Sequence, residues 1–316
     1  MKSKTLGRTG LNVSIVGLGA MYSGKPANSG ISSPDMNFDL GVKTIQAAIE
    51  NGCTLVDTAY VYSRGGSEKI IGEALKQRPD LAARCTVATK VGYLGEGRDH
   101  TFDGILRSFE GSQKRLGIEK FEIIYIHDAG GYPIEEVMSD DGALGAVRKL
   151  QDEGLVRCVG IACNDPEINT PFIETGEFDV AVVPDAWSML NQTAAERILP
   201  AAEKYNMGIC CATPLEIGVL ATGPSQALAE GRRNFSTECL ERVGEIEDLC
   251  KQYEIPLLAA SLQWCTRHPQ VSCAIPGGRT PEEATANAKA GAVEIPEAFW
   301  DDLTPLIQHW EKGIHR

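Results

Sequence analysis

The sequence has no C-x-x-C pair, no long apolar run and no surplus of basic charge, and each absence removes a class of protein. Ten cysteines are present, but Cys210 and Cys211 are simply adjacent. Most of the others sit inside apolar runs, such as Cys85 before Thr86-Val87-Ala88. Without zinc-type spacing they read as reduced, buried thiols of a cytoplasmic protein, not as metal ligands or a disulfide framework. No stretch approaches the roughly 18 apolar residues that a membrane span needs. The N-terminus, Met1-Lys2-Ser3-Lys4-Thr5-Leu6-Gly7, carries no signal core. The formal net charge of -13 has the wrong sign for a phosphate-binding surface, so neither nucleic acid nor a membrane is an expected partner. Linkers and low-complexity tracts are also missing, so residues 1–316 read as a single domain.

What is present is alternation. Short β-branched runs fall at Ser14–Gly17, Thr54–Asp57, Thr86–Lys90, Ile123–His127, Val156–Ala162, Val180–Pro184, Gly208–Ala212 and Val271–Ile275. Between them lie helical patterns at Asp39–Asn51, Ser67–Lys76, Phe102–Leu116, Asp141–Glu153, Glu167–Gly176, Ala194–Tyr205, Thr237–His268 (split near Pro256) and Pro281–Lys289. Gly52 and Gly154 stand where helices should stop. Strands this short and apolar are buried on both faces, which suits parallel strands under a helical layer. Eight such units predict an α/β protein with a closed (β/α)8 TIM barrel. A doubly wound sheet would show a Gly-rich fingerprint after its first strand. Gly17-Leu18-Gly19 lacks the third glycine and the immediate helix. Residues 2–13 read as an N-terminal β-hairpin closing the barrel bottom, 20–37 as a loop, and 296–311 as an extra C-terminal helix.

Barrels carry their chemistry at the C-terminal ends of strands. Here the apolar runs end in Asp57, Lys90 and His127-Asp128, and Tyr62 follows closely on Asp57. Neighbouring strands lie roughly 5 Å apart, so these groups can share one mouth. A phenol alone is too weak an acid for proton exchange at neutral pH. An adjacent ammonium is expected to lower its pKa, with a carboxylate holding that ammonium in place. The phenol then serves as general acid or base on a carbonyl oxygen, and the imidazole orients the substrate. A metal site built from His127, Asp128 and Asp57 is the weaker reading, because none of the other four histidines falls at a strand tip.

With these residues in view, the chain resembles the aldo-keto reductases nearly end to end. The likeness runs through Leu6-Gly-Arg-Thr-Gly10, Gly17-Leu-Gly-Ala20, Asp57-Thr-Ala-Tyr-Val-Tyr62, Ser67-Glu68, Gly72-Glu-Ala-Leu75 and Lys90. It continues through Arg115-Leu-Gly117, Ile124-Tyr-Ile-His127, Gly160 to Asn164, Pro214-Leu215, Gly218-Val-Leu220 and Ile275-Pro-Gly277 with Asn287. The resemblance implies a catalytic tetrad of Asp57, Tyr62, Lys90 and His127, and NAD or NADP bound without a Rossmann fold. Its cofactor residues fall on Gly19, Ala20, Met21, Asp57, Asn164, Pro214, Leu215, Gly218, Leu220, Ile275, Gly277, Arg279, Glu283 and Asn287. Substrate contacts fall on Tyr22, Asp128, Asp185 and Trp187. Where many members carry an aromatic that stacks on the nicotinamide, this chain has Ala212, which leaves Trp187 as the candidate. Glu283 stands where an arginine often binds the 2′-phosphate, so the cofactor reading leans to NAD, although Arg279 remains a possible phosphate ligand. Arg232-Arg233 reads as a solvated pair. His127-Asp128, the Gly160–Asn164 run and a short C-terminus are similar to the sugar-oxidising branch of aldose and pyridoxal 4-dehydrogenases. The implied activity is hydride transfer to or from a small polar carbonyl compound or sugar. The alternative is a non-catalytic NADP-binding regulatory subunit on the same fold.

Overall fold

A run such as Ile123-Ile124-Tyr125-Ile126 has no polar face to offer water, and all four residues are fully buried. The computed structural model, which describes residues 1–26, 29–95, 97–225, 234–310 and 314–315, places that run inside a ring of parallel strands. A hairpin of β1 (Ser3–Thr5) and β2 (Asn12–Ser14) comes first. The ring follows as β3 (Leu18–Gly19), β4 (Leu55–Asp57), β5 (Thr86–Val91), β6 (Phe121–His127), β7 (Val156–Ala162), β8 (Val180–Val183), β9 (Gly208–Cys211) and β10 (Val271–Ala274). These eight pair strictly in sequence order, every pair parallel. Parallel bridges from Val16 to Ala274 and from Gly19 to Gly277 bring the last strand round to the first.

Helices fill the crossovers: α1 (Phe38–Glu50), α2 (Gly66–Gln77), α3 (Phe102–Leu116), α4 (Ala143–Asp152), α5 (Pro166–Glu174), α6 (Ile198–Tyr205), α7 (Thr237–Gln252), α8 (Leu257–Arg267) and α9 (Pro281–Ala290), before a final α10 (Glu297–Leu303). Local signals set their ends. The Thr101 side chain caps the start of α3, and Gly117, with φ of 68°, stops it. Thr280 caps α9 with Pro281 in its first turn. The hairpin plugs the barrel floor, where Leu6 and Val13 join the interior layer of Leu55, Ala88, Ile123 and Tyr125.

Several boundaries differ from expectation. The first ring strand is Leu18–Gly19, not Ser14–Gly17, because Ser14 is taken by the hairpin. The last helix stops at Leu303 and tightens into a 3-10 turn through Leu306, where Pro305 ends regular α-helix. The expected helix from Ala194 starts at Ile198, after a separate 3-10 turn at Thr193–Ala195. The 20–37 loop opens with a 3-10 turn at Ala20–Tyr22. Arg232 and Arg233 lie outside the described residues. No helix among the described residues is long and apolar enough to cross a membrane.

Candidate active site

The strand register decides which tips converge. Asp57 pairs with Ala88, and Lys90 pairs with Tyr125 on the next strand. Ala88 and Tyr125 both face the barrel interior, and side chains two residues apart share a face, so Lys90 also points inward. Its Nζ donates to Asp57 Oδ1 at 2.5 Å and to the Thr58 carbonyl at 2.9 Å, and stands 3.4 Å from the Tyr62 hydroxyl. Lys90, Asp57 and His127 are 2%, 3% and 4% exposed, so this charge pair is almost dry. Tyr125 forms the floor, its ring centroid 5.7 Å from the ammonium. Tyr62 reaches the mouth on a cramped turn. Ser63 and Arg64 both adopt positive φ, at 55° and 52°, before α2 begins at Gly66. The Ser63 N–H is tied to the Ile31 carbonyl of the 20–37 loop.

Electrostatics correct one expectation. Burial pushes the Tyr62 phenol up; Lys90 opposes this, but Asp57 beside it adds to the rise, and the net direction is upward. The ammonium is shared with a carboxylate, so it does not draw the phenol down to neutrality. Burial pulls the Lys90 ammonium down, and Asp57 and then Tyr62 outweigh it, leaving it above the ordinary lysine value. Burial, reinforced by Lys90, holds His127 well below the usual histidine range. At neutral pH the site therefore holds a protonated phenol, a charged lysine and a neutral imidazole.

The His127 ring stands edge-on to Tyr62, with centroids 6.3 Å apart, and is 5.1 Å from the ring of Tyr93. Asp128 lies 3.7 Å from His127 Nε2. Its carboxylate accepts the Tyr93 hydroxyl at 3.1 Å, the Asn164 backbone N–H at 2.9 Å and the Asn164 side-chain amide at 3.1 Å. Asn164 thus meets Asp128 at the rim, just beyond β7. Cys163 is 1% exposed, and burial pushes its thiol up to about 12, which marks a packing residue and not a nucleophile. Among the described residues, no group of three or more His, Cys, Asp or Glu side chains is placed to hold a metal ion.

Residues 16–308 match the model of the aldo/keto reductase family. The chain belongs to that family. It is an oxidoreductase. Among relatives of this aldo/keto reductase, a pyridoxal 4-dehydrogenase from Microbacterium luteolum is 27% identical over 96% of each chain. A D-threo-aldose 1-dehydrogenase from a Pseudomonas species is 28% identical over 93% of this chain and 94% of its own. An aldo-keto reductase of Bacillus halodurans, solved in holo form, has the same fold with a TM-score of 0.79, at 22% identity over 99% of both chains.

In this aldo/keto reductase the loops after β3 and β10 are stitched into one rim. Ser23 Oγ donates to the Gly278 carbonyl, and the Gly24 N–H to that of Arg279. The Arg279 guanidinium lies over the Tyr22 ring at 4.8 Å. Asn287 Nδ2 braces the Gly277 carbonyl at 2.9 Å, and Glu283 Oε2 accepts the Arg279 backbone N–H at 2.8 Å. Gly19, Ala20 and Met21 therefore sit beside Ile275, Gly277 and Arg279, while Pro214, Leu215 and Gly218 follow β9. Two buried polar atoms on this face have no protein partner: Asp57 Oδ2, an acceptor, and Arg279 Nε, a donor. A ligand rich in hydroxyl and phosphate groups suits that pair.

Two residues expected at the ligand pack into the protein instead. Trp187 is 9% exposed, stacks on Trp264 and donates its indole N–H to the Cys265 carbonyl. Leu220 is fully buried, and Ser261 occupies its carbonyl. Asp185, with φ of 52°, turns at the end of β8 and offers its carbonyl to Asn191. Sequence reasoning missed Tyr93, Arg98 and His100, which lie in a glycine-rich excursion with no apolar period. It also missed Lys25, a buried cation that donates to the Gly30 and Ile31 carbonyls. Its only signal was the one lysine in a segment rich in glycine, serine and proline.

Proposed function

We propose that this aldo/keto reductase passes a hydride between a nicotinamide dinucleotide and the carbonyl or hydroxyl carbon of a small polar substrate, with Tyr62 handling the proton. One observation carries the reading: a single buried ammonium, Lys90 Nζ, lies against both Asp57 Oδ1 and the Tyr62 hydroxyl at 2.5 and 3.4 Å. The residues that would hold the dinucleotide are Gly19, Ala20, Met21, Asp57, Asn164, Pro214, Leu215, Gly218, Ile275, Gly277, Arg279 and Asn287. The unpartnered Asp57 Oδ2 and Arg279 Nε support that placement. Bound there, the nicotinamide ring supplies or takes up the hydride.

The chain's own groups manage the oxygen. In reduction, Tyr62 gives its proton to the substrate carbonyl oxygen, and Lys90 steadies the phenolate left behind. Neutral His127 hydrogen-bonds the same oxygen and sets its direction. In oxidation the proton returns to the phenolate. A phenol held above its ordinary pKa carries its proton at neutral pH but gives it up less readily, so the acid role leans on Lys90 stabilising the phenolate, whereas the base role gains from alkali. Asp128, Tyr22 and Asp185 stand at the rim as candidates for contacts to substrate hydroxyls. The names of the two dehydrogenase relatives support an aldose or a small aldehyde as substrate. NAD is the preferred form in this reading, because the Glu283 carboxylate, held beside Arg279, would repel a 2′-phosphate. The ten free cysteines support a reducing, cytoplasmic setting.

The test is turnover of a panel of aldoses and small aldehydes with each nicotinamide, followed by cofactor absorbance. Activity is expected with NAD(H) above NADP(H). Tyr62→Phe is expected to lower kcat by about 10²- to 10⁴-fold while cofactor affinity stays put. An unchanged rate in that variant removes Tyr62 from its role.

A further inference from the structure

The backbone just after β6 is bent by a neighbouring segment. Asp128 adopts a φ of 46°, a left-handed conformation unusual for a side-chain-bearing residue. Tyr93 and Arg98 hold it there. Arg98 Nη1 donates to the Asp128 carbonyl at 3.1 Å and also to that of Gly130, and the Tyr93 hydroxyl takes the carboxylate. The Tyr132 hydroxyl donates back to the Arg98 carbonyl at 3.1 Å.

His100 makes the contact nearest the chemistry. Its Nε2 lies 2.7 Å from the backbone carbonyl of His127. A carbonyl only accepts, so Nε2 carries the proton and the tautomer is decided. Nδ1 is then a bare acceptor, buried and without a partner. His100 is 3% exposed, and Gly92 leaves it room, since a Cβ there would stand 2.8 Å from Nε2. A phenylalanine or leucine would fill the same space without an unsatisfied nitrogen. The ring packs on Tyr132, with centroids 4.7 Å apart, a contact phenylalanine could also make, so what the imidazole adds over a hydrocarbon ring is the Nε2–H bond.

We propose that His100 is a positioning residue for His127, acting through the His127 carbonyl; this rests on the reading of His127 given above. The peptide that His100 holds joins His127 to Asp128, so its orientation sets where both side chains leave the strand. The substrate oxygen has to meet His127 and the Tyr62 hydroxyl together, and their rings stand 6.3 Å apart at an interplanar angle of 84°. A small rotation of that peptide takes the imidazole out of reach.

A cavity of about 230 Å3, bordered by His100, Tyr132, Val137 and Ser139, makes the idea testable by rescue. His100→Phe removes the donor, His100→Gln restores an N–H, and His100→Gly leaves space for added imidazole. His100→Phe is expected to lower kcat per folded molecule by about 10- to 100-fold and to raise the substrate KM, with NAD(P)H affinity unchanged. His100→Gln is expected to recover most of the rate. Imidazole is expected to revive His100→Gly without accelerating the parent enzyme. Wild-type kcat in folded His100→Phe overturns the inference. So does the absence of imidazole rescue in His100→Gly, which also decides the matter should His100→Phe fail to fold. A parent enzyme that turns over nothing with either nicotinamide defeats the functional reading itself.

Discussion

Ser63 shows how tightly single residues are held around the reacting phenol. It follows Tyr62 in a left-handed conformation, and its buried hydroxyl has no partner. An L-residue there carries roughly 1–2 kcal/mol of strain, while glycine loosens the unfolded chain by somewhat less. Ser63→Gly is therefore expected to stabilise the fold by roughly 0.5–1 kcal/mol, seen as a higher melting temperature. A fall in melting temperature would show that the hydroxyl has a use. At this scale the sequence was readable wherever an apolar run ended in charge, as at Asp57, Lys90 and His127. It was unreadable at Tyr93 and His100, which reach the site from a short antiparallel pair, Tyr93–Leu94 with Gly97–Arg98, and its flank, through contacts to backbone and to Asp128. The net rise of the Tyr62 pKa was hidden too, because it depends on how dry the Lys90–Asp57 pair is.

Among the elements, β6 and β7 set the depth of the site. Tyr125 on β6 fills the barrel only because Gly160, its register partner on β7, has no side chain. A Cβ at Gly160 would lie 2.3 Å from Tyr125 Cδ1 and 2.9 Å from the Val180 carbonyl. Gly160→Ala is expected to cost about 1–3 kcal/mol through overpacking. It should also push the Tyr125 ring toward Lys90, lowering kcat along with the melting temperature. Full activity in that variant would show that the floor is free to move. Seven of the eight ring strands were legible to within a residue or two at each end, because strands buried on both faces read as unbroken apolar runs. The first strand was misplaced because the hairpin competes for Ser14, and no local pattern says which pairing wins. The last helix was overextended because Trp310 and Ile307 continue an apolar pattern past Pro305 as non-helical packing.

For the whole molecule, buried neutral histidines make stability depend on acid. Burial, as the chief cause, holds both His100 and His127 below the ordinary histidine value of about 6.5. Below that value the unfolded chain binds protons that the folded chain refuses, so stability is full above it and falls as the pH drops. At about 0.15 M salt, which damps self-repulsion from the net charge of -13, the urea midpoint is expected to fall between about pH 7.5 and 5.5. A level midpoint across that window would mean that these rings protonate freely in the native state.

The ring of strands has an uneven join. Seven neighbouring pairs share ladders, one of them with a register shift between Ile209 and Cys210, whereas the first and last strands meet through the isolated bridges at Val16–Ala274 and Gly19–Gly277. That join lies beside Tyr22 and Arg279, where the dinucleotide is proposed to rest. Occupancy there would act as a clasp on an open bracelet, tightening the hoop where its ends meet. Amide exchange at Gly17 and Gly19, whose N–H groups bond across the gap to Ala274 and Pro276, should slow more on NADH addition than exchange within β6.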